Sequence, residues 1–232
     1  MPKSSRSKFL QGARTLVENA AGLPEMSSVL SGYGYTEARF KEGLDLVDAA
    51  DSLSKRTSLE YGEKMEASAE FSGAWATANV VYSKTLKLAR IALGDDPKGV
   101  AALRLMGTRK QSFSGWYDQA GTFYENMLGD KRFTDGLAVF GYTKDRLRDE
   151  KKVVDDVMKK YTTHAYESGS AQASTAERDR KLKELDSWVS DLRGVCEVAF
   201  YDTPDELEKL GPLAPTRRRA ATGKKKPAVV KT

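Results

Sequence analysis

The sequence repeats itself at one constant offset, and this internal repeat limits the folds that the chain can adopt. Residues 8–103 align without a gap with residues 115–210, and 21 of the 96 aligned pairs are identical. Unrelated segments of ordinary composition would share only about a quarter as many identities. We interpret the repeat as an internal duplication. Residues 1–111 are called copy 1 below, and residues 112–213 are called copy 2.

The repeated residues are those that begin and end helices. The longest identical run, Gly34-Tyr35-Thr36, recurs as Gly141-Tyr142-Thr143 and suits the entry into a long helix. The glycine can end the preceding helix, and the threonine hydroxyl can cap the next one. Tyr35 and Phe40 have the spacing of a hydrophobic staple across that cap. Likewise, Pro24 soon after Gly22 predicts a helix end and a new start. We therefore interpret this motif as structural, not as a ligand site.

After Thr36 the apolar residues recur at spacings of three, four and seven, which predicts helices and no strands. A stretch of small and polar residues around Gly62 and Gly169 interrupts this pattern in both copies, and Ser174 to Glu177 fit a capping box. These features predict a turn, so that each copy is a long helical hairpin preceded by two short helices. The alternative is one continuous helix of about 58 residues in each copy. The positions of the predicted seam are Phe40, Leu44, Val47, Tyr61, Met65, Trp75, Tyr82, Leu86 and Leu93, then Leu147, Val154, Met158, Tyr161, Leu182, Leu185, Val189, Leu192, Cys196 and Phe200.

Two antiparallel hairpins related by duplication predict an all-α, internally duplicated antiparallel four-helix bundle with short accessory helices. The single cysteine excludes an internal disulfide and fits a reducing compartment. No apolar run approaches the roughly 20 residues of a membrane span. The N-terminus is basic and free of acids, as in a transit peptide, yet it has a counterpart inside the chain. We therefore expect it to be retained and the protein to be cytoplasmic.

The excess of positive over negative charge lies at the two ends of the chain. Residues 1–8 carry +3 and residues 211–232 carry +7, so the +5 of the whole chain leaves −5 for residues 9–210. Residues 214–232 contain almost no large apolar side chains and are expected to form a disordered basic tail. Basic clusters of this kind suit nucleic acid bound without sequence preference. The candidate nucleic-acid-binding residues are Arg217, Arg218, Arg219, Lys224, Lys225, Lys226 and Lys231.

A four-helix bundle raises the hypothesis of a di-metal carboxylate site, which requires histidines as well as carboxylates. The chain has a single histidine, His164, and its counterpart in copy 1 is Thr57. The duplicated carboxylates, which could face each other, are Glu60 with Glu167 and Glu70 with Glu177. Because a second imidazole is missing, we predict no metal ion and no other cofactor.

The sequence also offers no convincing catalytic group. Cys196 lies on the predicted core seam, where a free cysteine behaves as a small apolar residue, and no glycine-rich phosphate loop occurs. The aromatic segment 112–127, which contains Trp116 and Phe123, is helix-periodic and is assigned to packing in preference to a binding surface.

These observations favour a non-enzymatic helical scaffold or interaction protein with a protein partner. The alternative is a nucleic-acid-associated protein that binds through its basic tail, and a third class is a bundle that holds a small ligand. The sequence by itself leaves the partner, the pathway and the oligomeric state undetermined.

Overall fold

The structure is a computed structural model that describes residues 3–215. The elements in this part of the chain are all helices: α1 (Lys3–Gly22), α2 (Pro24–Ser31), α3 (Glu37–Leu93), α4 (Pro97–Ala102), α5 (Phe113–Gly129), α6 (Lys131–Ala138), α7 (Lys144–Ala199) and a 3-10 helix (Pro204–Leu210). The predicted all-α class is therefore confirmed for residues 3–215. Within the same residues, no helix is both long enough and apolar enough to cross a membrane.

The helix ends follow the predicted local signals. Pro24 is the first residue of α2. Gly34 and Gly141 take φ values of +86° and +77°, which favour glycine, just before the two long helices. Thr143 caps α7, since its hydroxyl oxygen accepts a hydrogen bond from the amide of Arg146 at 3.3 Å. In copy 1, the rings of Tyr35 and Phe40 lie 5.8 Å apart, as the staple requires. The interpretation of this motif as a helix entry is confirmed.

The predicted hairpins are wrong. α3 is one helix of 57 residues and α7 is one helix of 56 residues, so the turns expected near Gly62 and Gly169 do not form. Ser174, expected to cap a new helix, lies inside α7, and its hydroxyl is 3.0 Å from that of Thr57. The small residues of this stretch belong to a helix–helix contact instead of a turn. The four-helix bundle of two hairpins loses its basis with these turns.

The chain divides into two compact units whose boundary falls inside both long helices. Unit 2 comprises residues 57–174, and unit 1 combines the residues up to Arg56 with those from Thr175 onward. Each unit therefore contains the first half of one copy and the second half of the other. In unit 1, Leu16, Met26 and Leu30 share a core with Leu185 and Leu192 of α7.

Unit 2 has its own core, built in the corresponding way. Trp116, Phe123 and Met127 of α5 share it with Tyr82 and Leu86 of α3. Apart from Tyr161 of α7, the predicted seam positions in the two cores are buried or half-buried. The seam also fails in α3, in the stretch between the residues that α3 contributes to the two cores. There Tyr61 and Met65 are 57% and 53% exposed, while the buried positions are the small Thr57 and Ala67. The seam fails because α3 leaves one core and enters the other in this stretch.

One pair of equivalent positions is filled differently in the two cores. A side chain at Gly43 would overlap the ring of Trp188, so glycine makes room for this tryptophan in unit 1. The equivalent residue in unit 2 is Glu150, whose side chain is only 12% exposed. Its carboxylate accepts hydrogen bonds from the hydroxyls of Thr85 at 2.5 Å and Tyr124 at 3.1 Å. A large apolar ring in one core thus corresponds to a satisfied polar network in the other.

The packed part of the chain extends slightly beyond the predicted start of the tail at residue 214. Leu213 and Ala214 pack against the core of unit 1, and Pro215 is buried. The predicted nucleic-acid-binding residues lie outside the described residues: Arg217, Arg218, Arg219, Lys224, Lys225, Lys226 and Lys231.

Candidate binding groove

The segment that joins the two copies positions α5 in unit 2. Arg90 of α3 donates to the carbonyl of Leu105 at 2.6 Å and to that of Gly107 at 3.2 Å. Ser112 then caps α5, where its hydroxyl oxygen accepts from the amide of Gly115 at 3.3 Å. These polar contacts hold the start of α5 against α3.

A cluster of aromatic rings surrounds the start of α5, with Phe113 at its centre. The Phe113 ring centroid lies 4.4 Å from that of Tyr161, 5.1 Å from Phe71 and 5.5 Å from Trp75. The rings come from three helices, and most of the pairs are tilted or edge-to-face, as aromatic side chains prefer. The complete cluster is Phe71, Trp75, Phe113, Trp116, Tyr117, Tyr161 and His164.

Most of this cluster packs at the edge of the core of unit 2 and keeps part of its surface exposed. Trp116 is buried and donates its indole N–H to Asn79 at 3.1 Å, whereas Phe71, Trp75, Phe113 and Tyr117 are only half-buried. Tyr161 is 40% exposed. The assignment of the aromatic segment to packing is confirmed for its buried residues, and Phe113 and Tyr117 also pack against this core while they remain partly exposed. The buried residues are Trp116, Phe123, Tyr124 and Met127.

The exposed side of the cluster borders a groove of about 550 Å³ between α5 and α7. Its acidic residues are Asp118 and Glu125, and no lysine or arginine of residues 3–215 lines it. Arg104 already pairs with Asp118 at 2.7 Å. The nearby Lys151 donates to both carboxylate oxygens of Asp155, at 3.0 and 2.8 Å. The lining residues are Phe113, Ser114, Tyr117, Asp118, Gly121, Thr122, Glu125, Met158 and Tyr161.

The groove offers ring faces and carboxylate oxygens to a ligand. Ring faces attract apolar groups and cations, and a carboxylate adds charge attraction for a cation. The hydrogen bond to Asp155 is the main cause that raises the pKa of Lys151, with a smaller contribution from the charge of Glu125. Lys151 therefore stays charged at neutral pH, and its ammonium group is hydrogen-bonded to Asp155.

The equivalent face of copy 1 has a different character. At the offset of the repeat, Phe113 corresponds to Arg6, Tyr161 to Ser54 and Met158 to Asp51. Arg14 on this face pairs with Asp48. The aromatic residues of the groove thus have no aromatic counterparts at these positions of copy 1.

The structure also brings together the duplicated carboxylates of the metal hypothesis. Oxygens of Glu60, Glu63 and Glu167 lie within 4.8 Å of one another, and Ser170 donates a hydrogen bond to Glu60. Glu70 instead pairs with Lys160 at 2.8 Å. Such exposed and half-exposed acidic groups recur on protein surfaces without a metal, so the cluster by itself defines no site.

Two further candidate groups of the sequence lie in different units. His164 of unit 2 stacks on Phe71, with ring centroids 5.6 Å apart and planes at 8°. Cys196 is fully buried in the core of unit 1, where burial raises the pKa of its thiol to about 12. A thiol with this pKa is not a nucleophile near neutral pH.

Sequence reasoning missed the groove because its residues come from distant parts of the chain. Phe113 of α5 and Tyr161 of α7 lie on different helices, and their ring centroids are only 4.4 Å apart. Helical periodicity placed Tyr161 on the buried seam, and its exposure depends on how α5 packs beside it. The one available signal was the density of aromatic residues at 112–127.

Comparisons of the chain with protein-family models, curated proteins and solved structures find no match. The function must therefore be argued from the residues of the groove and of the basic tail.

Proposed function

We propose that this protein is a non-enzymatic helical interaction protein and that the groove binds a segment of a protein partner. The observation that supports this most is the half-buried aromatic cluster beside an open groove in unit 2. Aromatic side chains are enriched where proteins bind one another, and exposed clusters of them are uncommon elsewhere. A core-forming role alone would not require Tyr161 to remain 40% exposed.

The chemistry of the lining supports the proposal of a non-enzymatic role. Among residues 3–215, the groove is lined by hydroxyls, rings, a thioether and two carboxylates, without an imidazole or a thiol. Acid–base or nucleophilic catalysis uses paired groups whose pKa values are adjusted to the task. The proposal therefore assigns binding, not turnover, to this site.

Capture of partners from a native lysate tests the proposal. The full chain is compared with Tyr161→Ser, which removes an exposed ring from the groove, and with Tyr166→Ser as the matched control. Tyr166 lies on the same helix, is 72% exposed and does not line the groove. We expect a partner that binds the wild type and Tyr166→Ser but not Tyr161→Ser. Equal capture by all three proteins would show that the groove is not the binding surface.

We infer that the two copies arose by internal duplication. α2 spans residues 24–31 and α6 spans residues 131–138, so both ends differ by the offset of the sequence repeat. α3 and α7 begin at residues 37 and 144, which differ by the same offset.

A cytoplasmic location remains part of the proposal, supported by the lone cysteine of the sequence.

A second candidate function is binding of nucleic acid through the basic tail. Residues 211–232 carry seven cations and no acid. Seven cations can make at most seven phosphate contacts. A plot of the logarithm of the binding constant for duplex DNA against the logarithm of the salt concentration should therefore have a slope no steeper than about −6. Truncation after Pro215 retains Leu213, which packs beside Gly12, and should abolish the binding. The charges of residues 1–8 and 9–210, +3 and −5, leave −2 on the shortened chain, which repels phosphate at long range. Binding of nucleic acid that survives the truncation would show that the tail is not the binding element.

A further inference from the structure

We propose that this protein associates with further copies of itself, through contacts between one end of unit 1 in one copy and the corresponding end of unit 2 in the next copy. The residues of these ends do not line the groove, so the association is independent of the function proposed for the groove. It follows from how the two ends are built, from the apolar side chains that both expose and from their opposite charges.

Each end lies where one long helix begins beside the last part of the other. In unit 1, Gly43 in the second turn of α3 lies against the ring of Trp188, in the last quarter of α7. In unit 2, Thr85 in the last quarter of α3 donates a hydrogen bond to Glu150, in the second turn of α7. The start of one long helix and the finish of the other therefore come together in both units.

Short helices complete each end. In unit 1, Lys209 of the 3-10 helix pairs with Glu25 of α2 at 3.5 Å. In unit 2, Lys98 of α4 pairs at 2.8 Å with Asp130, the residue that caps α6. The two ends are built from equivalent segments of the repeat: residues 23–41 and 190–210 of unit 1, called end 1 below, and residues 130–148 and 83–103 of unit 2, called end 2.

Both ends expose large apolar side chains at the same two positions of the repeat. Tyr33 and Phe140, which precede the long helices, are 50% and 44% exposed. Val198 and Ile91, in the last two turns of the long helices, are 63% and 69% exposed. A single exposed apolar side chain is ordinary on a protein surface. Two of them at matching positions give each end apolar area that a partner can cover.

The two ends carry opposite charge. In end 1, residues 23–41 are neutral and residues 190–210 carry −4; in end 2, both segments carry +2, which gives +4. These totals include the acids and bases that pair inside each end, so they are an excess that such pairs leave over. Five equivalent positions have an acid in end 1 and a base in end 2, and none has the reverse: Glu25 with Arg132, Glu37 with Lys144, Asp191 with Lys84, Glu197 with Arg90 and Asp205 with Lys98.

The partner that fits each end is therefore the other end of a second copy. Apolar area is covered in such a contact, and an excess of −4 meets an excess of +4. A contact between two identical ends would instead bring like charges together, which costs free energy. Because the two surfaces differ and every copy offers both, the contact is heterologous and continues from copy to copy into rings or filaments.

Sedimentation velocity of the full chain tests this association. We expect the average mass to rise with protein concentration at about 0.05 M salt, and the association to weaken at least about tenfold at about 0.5 M salt, which screens the charges. A chain that stays monomeric at all concentrations in low salt would overturn the proposal. So would an association that high salt leaves unchanged.

Two variants each disable one end. Glu37→Lys with Glu197→Lys brings end 1 to zero net charge, and Lys87→Glu with Lys144→Glu does the same for end 2. Each variant alone should associate at least about tenfold more weakly than the wild type. Their equimolar mixture should form a complex of one copy of each and nothing larger, because each variant keeps one intact end. A mixture that does not pair would refute the contact between the two ends.

Glu66→Lys with Glu177→Lys is the matched control. It changes the net charge as much as the end 1 variant does, at exposed positions outside both ends, and should associate as the wild type does. Because all six substituted positions are exposed, circular dichroism should show that every variant remains folded. An end 2 variant that associates as well as the wild type would overturn the proposal and point to another cation source, such as the basic tail, as the partner of end 1.

Discussion

Gly43 and Glu150 occupy equivalent positions in the two copies, and each residue fits the packing of its own core. Beside Gly43, the Trp188 ring fills the space, and its indole nitrogen is buried without a hydrogen-bond partner among the described residues. Beside Glu150, the hydroxyls of Thr85 and Tyr124 donate to the carboxylate. Burying that carboxylate without such donors would cost several kcal/mol. Each residue is therefore suited only to the neighbours that its own core provides.

Gly43→Ala should destabilise the protein although alanine is the better helix former. The new methyl group would overlap the Trp188 ring and force it to move, at a cost of roughly 1–3 kcal/mol. Gly62→Ala is the matched control on the same helix, because no described neighbour lies within 4 Å of its added carbon. That change should stabilise the protein by up to about 1 kcal/mol. Urea unfolding measures both, and a stabilised Gly43→Ala variant would contradict the packing of Trp188.

Stability should fall at alkaline pH because of buried phenols. Burial raises the pKa of Tyr82 to about 12, whereas an unfolded tyrosine titrates near about 10. Between these values the unfolded chain loses the proton and the folded chain keeps it, so rising pH favours unfolding. The contribution is complete below about pH 10 and is lost as pH rises towards about 12.

The urea midpoint at about pH 9 and about pH 11 checks this prediction. Tyr82→Phe should show a smaller loss over the same interval. It orphans no partner, because the Tyr82 hydroxyl is buried without a hydrogen bond to any of the described residues. An equal loss in the variant and the wild type would contradict a role of Tyr82.

At the scale of elements, the continuity of α3 and α7 is the main departure from the sequence-based prediction. Small residues, a glycine and a capping-box pattern resemble a turn, but none of them prevents a helix. The stretch 165–176 contains no proline, and its Ala171 and Ser174 are buried. Small side chains allow two helices to approach closely, and the Ser174 hydroxyl is satisfied by Thr57. Packing therefore selected the continuous helix over the turn.

Gly169→Pro tests this continuity. A proline inside α7 removes a backbone hydrogen bond and clashes with the preceding turn, at a cost of about 3 kcal/mol or more. Gly169→Ala, at a position with no described neighbour within 4 Å of the added carbon, should instead be neutral or stabilising. Thermal melts followed by circular dichroism compare the two variants. A Gly169→Pro variant as stable as the wild type would restore the predicted turn.

At the scale of the whole molecule, each core depends on both copies. Unit 1 takes residues up to Arg56 from copy 1 and residues from Thr175 onward from copy 2, and unit 2 takes the remaining halves. A single copy therefore contains only part of each core. We therefore expect the two copies to fold together.

Fragments 1–111 and 112–232 should accordingly fold only together. Each fragment alone exposes the apolar faces that the other one covers, and we expect neither to be a cooperatively folded monomer. Coexpressed, they should form a one-to-one complex with a cooperative melt. Size-exclusion chromatography with light scattering, and circular dichroism, measure both outcomes. A monomeric fragment 1–111 with a cooperative melt of its own would contradict the prediction that each core needs residues from both copies.

The sequence by itself determined the helical class, the internal repeat and the helix entries at Gly34 and Gly141. These features are local, because caps, prolines and glycine conformations act within about one helical turn. Only the tertiary structure decided that the long helices run without a break, that Tyr161 stays exposed and that Glu150 is satisfied. These outcomes depend on which distant residues bury one another, as Phe71 with Tyr161 and Thr57 with Ser174 show. Burial free energy belongs to such long-range pairs, and periodicity within one helix does not specify the partner.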